Sequence, residues 1–221
     1  MFLKIGSLLT VDEVARLHAL SRELTFVDGR VSNPANEAKV NLQADSGQAA
    51  SGEAAQMVAA AFNRSRAFNE FAFPRRMALP MLARYEPGMK YAPHADAPFL
   101  NLPGVRLRSD ISATVFLSEP SSYEGGELVA HLGTEPIAFK GAPGDAIVYP
   151  STLLHEVRPV RSGVRLVAIT FVESLIAEEP LRTQLAELND IAALEGLNMR
   201  WEQRVRFEVV RANLMRLWST G

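Results

Sequence analysis

The spacing of apolar residues changes twice along this chain of 221 residues, and this limits the folds that it can adopt. Apolar residues recur every three or four positions over about residues 1–75, alternate with polar ones over about 76–176, and return to helical spacing over about 177–221. In the middle region, Gly and Pro separate short segments that have no helical crossovers between them. The pattern therefore predicts an α+β protein: an N-terminal helical and loop region, a central β-sandwich or barrel, and a C-terminal helical extension.

Individual helices and strands follow from the same spacing. Thr10 and Glu13 form a capping-box pattern before the first helix, and Gly196 is a stop signal after the third. The polar segment between the first two helices is predicted as a loop, in which Val40 and Leu42 could form a short strand. Helices are predicted over residues 11–24, 53–68, 181–194 and 201–217. Strands are predicted over residues 81–85, 109–118, 127–132, 136–139, 145–149, 153–160 and 164–173.

Composition excludes several classes of protein. The chain is 48% apolar and 22% charged, which excludes a disordered chain. Because it has no cysteine, disulfides, Cys-zinc sites, iron–sulfur clusters and thiol nucleophiles are excluded. Its net charge of −2 gives no excess positive charge for nucleic acid, and no apolar run reaches the ~20 residues that span a bilayer. The N-terminal apolar segment is too short for a secretory signal, so we expect a cytoplasmic protein with no nucleic-acid or membrane partner.

Two of the four histidines stand in patterns that suggest a metal site. In an extended segment, His94 and Asp96 point to the same face and could bind one ion, although an exposed hydrogen-bonded pair has the same pattern. Alternation places His155 on the face of Leu153 and Val157, where its imidazole needs a polar partner. That partner could be a metal ion or a backbone carbonyl, and His155 alone does not decide between them.

Arg165 adds a candidate anion site to this candidate metal site. Alternation turns Arg165 to the face of Val167 and Ile169, and a buried guanidinium requires an anion. An internal Asp or Glu could serve, and so could the carboxylate of a small molecule. Only the turn at 161–163 separates the strands of His155 and Arg165, which predicts that they are adjacent antiparallel strands.

Two histidines and one carboxylate make up the facial triad of non-haem Fe(II) oxygenases. Three such ligands leave coordination positions for a 2-oxo acid and for dioxygen, and Arg165 could hold the far carboxylate of 2-oxoglutarate. Taken together, the residue types predict an Fe(II)- and 2-oxoglutarate-dependent oxygenase whose metal ligands are His94, Asp96 and His155.

Longer motifs resemble those of a known family. Residues 84–96, RYEPGMKYAPHAD, are similar to the Y-x-x-G-x-x-Y-x-x-H-x-D block of prolyl-hydroxylase-type 2-oxoglutarate dioxygenases. GGEL at 125–128, GDAIVYPS at 144–151 and FVDGR at 26–30 also resemble family motifs. With the C-terminal helical pair included, nearly the whole chain resembles the bacterial PKHD-type hydroxylases.

This resemblance implies a double-stranded β-helix (jelly-roll) core at 76–176, flanked by N-terminal helices and a C-terminal helical pair. It implies Fe(II) bound by His94, Asp96 and His155, and 2-oxoglutarate bound by Arg165. Dioxygen is then the second co-substrate, and ascorbate is the expected reductant. The implied reaction is hydroxylation of a peptide prolyl or lysyl side chain, or of a small metabolite, with release of succinate and carbon dioxide.

The resemblance also bears on the co-substrate pocket. Tyr85 matches a tyrosine that touches the co-substrate in some relatives. Phe116 stands where certain relatives carry a second such tyrosine, and it has no hydroxyl group. Thr114 or Ser112 would then supply the missing hydrogen bond.

Other functions and roles stay open. The same three ligands could bind zinc in a hydrolase or a structural site, and a jelly roll could bind an anion without catalysis. The hydrolase leaves Arg165 without a role, and a binding module does not need all three metal ligands. His131, Arg30, Asn41 and Gln43 could contact substrate or could stabilise loops. The C-terminal helices could cover the barrel or form a homodimer.

Overall fold

A computed structural model describes residues 2–32 and 38–220 of the chain. Within them lie five α-helices: α1 Val11–Glu23, α2 Ala49–Arg64, α3 Arg66–Ala72, α4 Glu179–Glu195 and α5 Trp201–Trp218. The strands are β1 Leu3–Ile5, β2 Phe26–Asp28, β3 Lys39–Val40, β4 Leu42–Ala44, β5 Pro74–Met77, β6 Met81–Tyr85, β7 Lys90–His94, β8 Phe99–Leu102, β9 Val105–Arg108, β10 Ile111–Phe116, β11 Glu124–Gly125, β12 Leu128–Leu132, β13 Glu135–Phe139, β14 Ala146–Pro150, β15 His155–Val157, β16 Val160–Ser162 and β17 Arg165–Ser174. Short 3-10 turns lie at Gly29–Ser32 and Pro120–Ser122.

Most strands form two antiparallel sheets that face each other across a cavity. The larger sheet has the order β1-β14-β10-β17-β6-β4-β2, with β5 beside β17. The smaller sheet has the order β13-β12-β15-β7-β3. Helices α1, α2 and α3 pack on the outer face of the larger sheet. This arrangement confirms the predicted α+β class, with a β core between N-terminal helices and a C-terminal helical pair.

The alternation predicted for residues 109–118 explains how the larger sheet separates the hydrophobic core from the cavity. In β10, Ile111 and Val115 point toward the helices and are fully buried, whereas Ser112 and Thr114 line the cavity. Burial of one such Ile or Val side chain contributes about 1.5–3 kcal/mol. One strand therefore builds the core with one face and the polar side of the cavity with the other.

Local capping residues determine where the N-terminal helices begin. The predicted capping box of α1 is present: the Glu13 amide donates to the Thr10 hydroxyl at 3.2 Å, and the Thr10 amide donates to the Glu13 carboxylate at 2.8 Å. The single helix predicted over 53–68 is wrong, because the extended backbone of Ser65 separates α2 from α3. The Ser65 hydroxyl accepts from the Phe68 amide at 3.3 Å and so begins a new helix.

The N-terminal region also adds strands to both sheets. β1 pairs with β14, β4 with β6, and β3 with β7. The one short strand expected at Val40 and Leu42 is therefore two strands, and β1 and β2 were not predicted. Each has only two or three residues, too few for alternation to be recognised. Because β3 lies in the smaller sheet and β4 in the larger one, the chain crosses between the sheets at Asn41.

The prediction that His155 and Arg165 lie on adjacent strands is wrong. The strand predicted over 153–160 is interrupted near Pro159, which has no amide hydrogen to continue a ladder. β15 lies between β12 and β7 in the smaller sheet, whereas β17 lies between β10 and β6 in the larger one. The side chains of His155 and Arg165 therefore enter the same cavity from opposite sheets.

The C-terminal helices pack at one end of the molecule. α4 buries Leu185 against Phe73 and Ile176. The buried guanidinium of Arg182 donates to the carbonyl oxygens of Ile176 at 2.8 Å and Ala177 at 3.2 Å. α5 packs on α4, yet none of its residues is fully buried. Across the described residues, no helix combines the length and the apolar character that crossing a membrane requires.

Candidate active site

A cavity of about 570 Å³ lies between the two sheets and contains all the residues predicted to bind the metal and the co-substrate. Its sides come from β6, β10, β14 and β17 of the larger sheet and from β7, β12 and β15 of the smaller one. A groove of about 760 Å³ lies outside the barrel beside α1 and contains none of the predicted site residues. The chemistry of the side chains, rather than the size of the space, identifies the cavity as the candidate site.

His94, Asp96 and His155 come together on the smaller sheet. β7 and β15 are neighbours, and His94 stands opposite His155 in register. Nε2 of His94 lies 3.8 Å from Oδ1 of Asp96, and Nε2 of His155 lies 3.8 Å from Oδ2. The three donor atoms all lie within 4.8 Å of one another, and residues 2–32 and 38–220 contain no other such group.

Backbone carbonyl groups determine which ring nitrogen is protonated in both histidines. Nδ1 of His94 and Nδ1 of His155 lie 2.8 and 2.9 Å from the carbonyl oxygen two residues earlier in the chain. Because a carbonyl oxygen only accepts, Nδ1 carries a proton in both rings, and in the neutral form of each ring Nε2 has a lone pair that can bind a metal. Burial, followed by repulsion from His155, lowers the pKa of His94 to about 4, so the His94 ring is neutral at pH 7.

A group of serines orients Asp96. The Ser112 hydroxyl, on β10, donates to Oδ2 of Asp96 at 2.5 Å. Ser151 lies 2.7 Å from that hydroxyl, and its carbonyl oxygen accepts from the Asp96 amide at 3.1 Å. Ser109 donates to the Ser151 hydroxyl at 2.8 Å. Ser112, considered above as a co-substrate donor, contacts the metal-ligand candidate instead.

Arg165 lies on the larger sheet and is only 2% exposed. Its guanidinium lies 4.9 Å from the centre of the Tyr85 ring. In the described part of the chain no carboxylate pairs with Arg165, and its Nε has no hydrogen-bond partner. An arginine keeps its charge when buried, so this position requires an anion that the described residues do not supply.

Hydroxyl groups also line the larger sheet. Tyr85 stands opposite Arg165 in register, and burial raises the pKa of its hydroxyl, which therefore remains a hydrogen-bond donor. Thr114 lines the same cavity. Phe116 does not line the cavity but packs with Tyr85 and Tyr149 in a hydrophobic cluster. Tyr85 and Thr114 thus both lie where a co-substrate could reach them.

Tyr149 is a cavity residue that the sequence patterns do not single out. Its ring meets the His155 ring edge-on, with 5.0 Å between the ring centres, and burial raises the pKa of its hydroxyl well above the usual value. All five residues of β14 are buried, so polar and apolar alternation does not show which side chain faces the cavity. The family motif at 144–151 contains Tyr149 and is the sequence feature that could identify it as a site residue.

Of the four residues considered for substrate contact, Asn41 alone lines the cavity. Arg30 forms an exposed ion pair with Asp28 at 2.6 Å. Gln43 is buried away from the cavity, and His131 lies beside a separate pocket of about 310 Å³. The chain crossing between the sheets thus brings one polar substrate-contact candidate into the site.

Exposed apolar side chains from three separate segments also line the cavity. Val31, Leu79 and Phe99 are 65%, 69% and 43% exposed. Deeper in the cavity, Lys39 and Asn41 are buried polar residues. The cavity therefore has an apolar rim and a polar interior, as is usual for a site that binds an organic ligand.

The chain is similar to several known proteins. Residues 80–173 match the family model of the 2OG-Fe(II) oxygenase superfamily. The chain is 46% identical over 215 residues to a protein of Sphingopyxis alaskensis named PKHD-type hydroxylase, and the match covers 97% of this chain and 98% of that one.

Two solved structures share the fold. A prolyl hydroxylase from Trichoplax adhaerens, in complex with a hypoxia inducible factor oxygen degradation domain peptide fragment, matches with a TM-score of 0.57 and 17% identity, covering 77% of this chain and 82% of that one. HygX from Streptomyces hygroscopicus, with nickel, 2-oxoglutarate and hygromycin B bound, matches with a TM-score of 0.52 and 16% identity. The match covers 80% of this chain and 84% of that one. These similarities confirm the double-stranded β-helix (jelly-roll) core that the motifs implied.

Proposed function

Because the chain belongs to the PKHD-type hydroxylases of the 2OG-Fe(II) oxygenase superfamily, we propose that it hydroxylates a peptide prolyl or lysyl side chain or a small metabolite, with release of succinate and carbon dioxide. As a member of this family it is a 2-oxoglutarate-dependent dioxygenase that uses Fe(II), 2-oxoglutarate and dioxygen. A zinc hydrolase and a non-catalytic binding module do not agree with this family. The convergence of His94, Asp96 and His155 in one cavity with the buried Arg165 carries the proposal.

In this proposal, His94, Asp96 and His155 are the iron ligands. Two imidazoles with free Nε2 lone pairs and one oriented carboxylate are donors that Fe(II) accepts. The separations of 3.8 Å between Nε2 and carboxylate oxygens are too long for hydrogen bonds that would occupy these donors. Iron held there with 2-oxoglutarate would supply the activation of dioxygen. The protein holds the two imidazoles on the paired strands β7 and β15 and Asp96 just beyond the end of β7.

Arg165 would bind the far carboxylate of 2-oxoglutarate. A planar guanidinium can donate two parallel hydrogen bonds to a carboxylate, and such a pair is strong where water is excluded. The hydroxyls of Tyr85 and Thr114 line the same cavity and are suited to donate to the co-substrate as well. An acid with a second acid group at its other end could reach both Arg165 and the metal ligands, which lie on opposite sheets.

The substrate would bind at the outer part of the cavity. The exposed Val31, Leu79 and Phe99 favour a substrate with an apolar portion. Among the described residues, the buried side-chain oxygen of Asn41 has no hydrogen-bond partner and would accept from an N–H group of that substrate. One structural neighbour was solved with a peptide fragment and another with hygromycin B, so both substrate classes stay in the proposal.

The test is to mix the purified protein with Fe(II) and 2-oxoglutarate without oxygen and then to admit oxygen. We expect a weak visible charge-transfer band in the first stage and succinate in the second. Ascorbate is the expected reductant and should increase the number of turnovers. The absence of both the band and succinate, together with zinc-supported hydrolysis, would overturn the proposal.

Two histidine variants make the test specific. His155→Ala removes a proposed ligand and should abolish the band. His131→Ala changes a histidine of the same sheet that lies outside the cavity, and it should leave the band in place. Equal bands in the two variants would show that the metal binds elsewhere.

A further inference from the structure

Exposed apolar residues of this protein are concentrated on the C-terminal helical pair. Seventeen large apolar side chains are exposed in the described chain, and eight of them lie within residues 191–217. We call these eight the C-terminal apolar surface: Ile191, Leu194, Leu197, Trp201, Val205, Val209, Val210 and Leu217. Several are almost fully exposed, with Leu194 at 75%, Leu197 at 84% and Leu217 at 76%. Exposed apolar residues concentrated in one part of a protein in this way usually mark an interaction site.

Helix α5 has apolar residues on two faces but is packed on only one. Leu214, Met215 and Trp218 pack, partly buried, against the body of the protein. Trp201, Val205 and the rest of the C-terminal apolar surface on α5 point away from it. None of the 18 residues of α5 is fully buried. The outer face of α5 also carries the exposed Glu202, Arg206 and Arg216. Because helices in proteins are stabilised mainly by packing, the exposed apolar residues on this face favour a further packing partner.

The charges beside this surface indicate what covers it. The exposed charges of α4 are all acidic, and those of α5 are mostly basic. Glu187 and Asp190 on α4, and Arg206 on α5, are exposed, and within residues 2–32 and 38–220 none of the three forms an ion pair. If a second copy is placed by a two-fold rotation, the acidic α4 of each copy meets the basic α5 of the other, and the pairing occurs twice. The surface is thus complementary to itself.

We propose that the protein is a homodimer in which α4 and α5 of two copies pack into a four-helix bundle. The apolar surfaces of the two copies would pack against each other in this bundle, and the α4 and α5 charges would pair across the same interface. An anionic membrane surface is a poorer occupant, because the acidic residues of α4 would be repelled from it. The proposal concerns assembly, so it stands apart from the chemistry assigned to the cavity.

The mass of the full-length protein in solution tests the proposal. Sedimentation equilibrium at micromolar concentration should give twice the chain mass of 24.2 kDa. The double variant Val205→Glu, Val209→Glu should be a monomer with unchanged helical content by circular dichroism. Val11→Glu makes the same change at an exposed residue of α1 and should remain a dimer. A monomeric unmodified protein, or a double variant that remains dimeric, would overturn the proposal.

Charge reversal tests the arrangement of the helices. Glu187→Lys with Asp190→Lys should weaken the dimer about tenfold or more, because like charges then face each other. Arg206→Glu with Arg216→Glu should do the same. All four substitutions in one chain should restore dimerisation, because α4 of each copy would again face opposite charge on α5. If the dimer of the fourfold variant is as weak as the dimer of either double variant, the proposed pairing of α4 with α5 is wrong.

Discussion

One hydroxyl group connects the carboxylate of Asp96 to β10 of the larger sheet. Asp96 lies beyond the end of β7, and the Ser112 hydroxyl donates to its Oδ2. Ser112→Ala removes this bond and allows the carboxylate to rotate. We expect metal affinity to fall about 10–100-fold, as is typical when a ligand loses the group that orients it. Titration of the metal-free protein with Co(II) or Fe(II) against a chelator measures the change.

Ser109 provides a control for this prediction, because it lies further from Asp96 in the same hydrogen-bonded group. Ser109→Ala removes a bond to Ser151, one step further from the proposed metal ligands, and should change metal affinity less. Unchanged affinity in Ser112→Ala would mean that the backbone alone orients Asp96.

The buried charge of Arg165 should affect binding and stability in opposite directions. Arg165→Met removes the proposed carboxylate partner, and the loss in 2-oxoglutarate binding should be about 2–5 kcal/mol. The same change removes a buried charge with no carboxylate partner among the described residues, so the free energy of unfolding of the unliganded protein should rise by about 1 kcal/mol or more. Calorimetry and urea denaturation measure the two effects.

Arg182 provides the matched control for Arg165. It is also buried, but its guanidinium donates to the carbonyl oxygens of Ile176 and Ala177. Arg182→Met should therefore lower the free energy of unfolding, because those carbonyls lose their partner. If Arg165→Met lowers stability to the same degree, then Arg165 supports the fold and the binding role assigned to it loses its physical basis.

Sequence patterns identify the residues whose chemistry is unusual for their position. His155 and Arg165 are polar residues on apolar strand faces, and both enter the cavity as expected. The roles of Ser112 and Tyr149 depend instead on which strands are neighbours in the folded protein. Their roles follow from β10 lying near Asp96 and β14 near His155, and local spacing does not contain that information.

At the scale of elements, the close pairing of β11 with β16 requires a glycine at position 125. Gly125 has a φ of +74°, and an added Cβ would lie 2.1 Å from the carbonyl oxygen of Pro159. Gly125→Ala should lower the free energy of unfolding by at least about 1 kcal/mol, because alanine fits neither the backbone conformation nor the space. Urea denaturation measures this loss.

A helical glycine gives a control with the opposite sign. Gly52 lies within α2, and a Cβ there would meet nothing within 4 Å. Gly52→Ala should raise the free energy of unfolding by about 0.5–1 kcal/mol, since alanine is the better helix former. If both variants lose stability, the protein tolerates Gly→Ala substitution poorly in general, and the loss at Gly125 does not reflect the conformation of its turn.

Strand length helps to determine which strands the sequence predicts, although β7 has five residues and is not among the predicted strands. β10, β12 and β17 have five or more residues and were predicted, because period-two alternation is visible over that length. β1 and β2 have three residues each and carry no such signal. The interruption of the predicted helix at Ser65 depends on one local hydrogen bond, which averaged helix propensity does not detect.

At the scale of the whole molecule, ligands should stabilise the fold in two steps. A ligand that binds only the folded state adds about 2.7 kcal/mol at one hundred times its Kd. The Tm of the metal-free protein should therefore rise with Ni(II), and rise again with 2-oxoglutarate. In His94→Ala the metal should no longer raise Tm. If Ni(II) raises the Tm of this variant as much as that of the unmodified protein, the metal binds outside the proposed triad.

The change of period along the chain predicts the α+β architecture but not how the sheets face each other. The family motifs, rather than the spacing, pointed to the double-stranded β-helix. Adjacent strands for His155 and Arg165 were predicted because the turn between them is short, yet the chain switches sheets there. Such a switch is set by tertiary packing, which a single sequence does not display.

The two histidines that stand opposite each other in β7 and β15 are 61 positions apart along the chain. A ribosome makes His94 and Asp96 well before His155, so the nascent polypeptide carries an incomplete set of donors for much of its synthesis. The set is complete only when β15 has docked beside β7. We therefore expect each molecule to select its metal after the barrel has closed, from whichever ions the finished cavity admits.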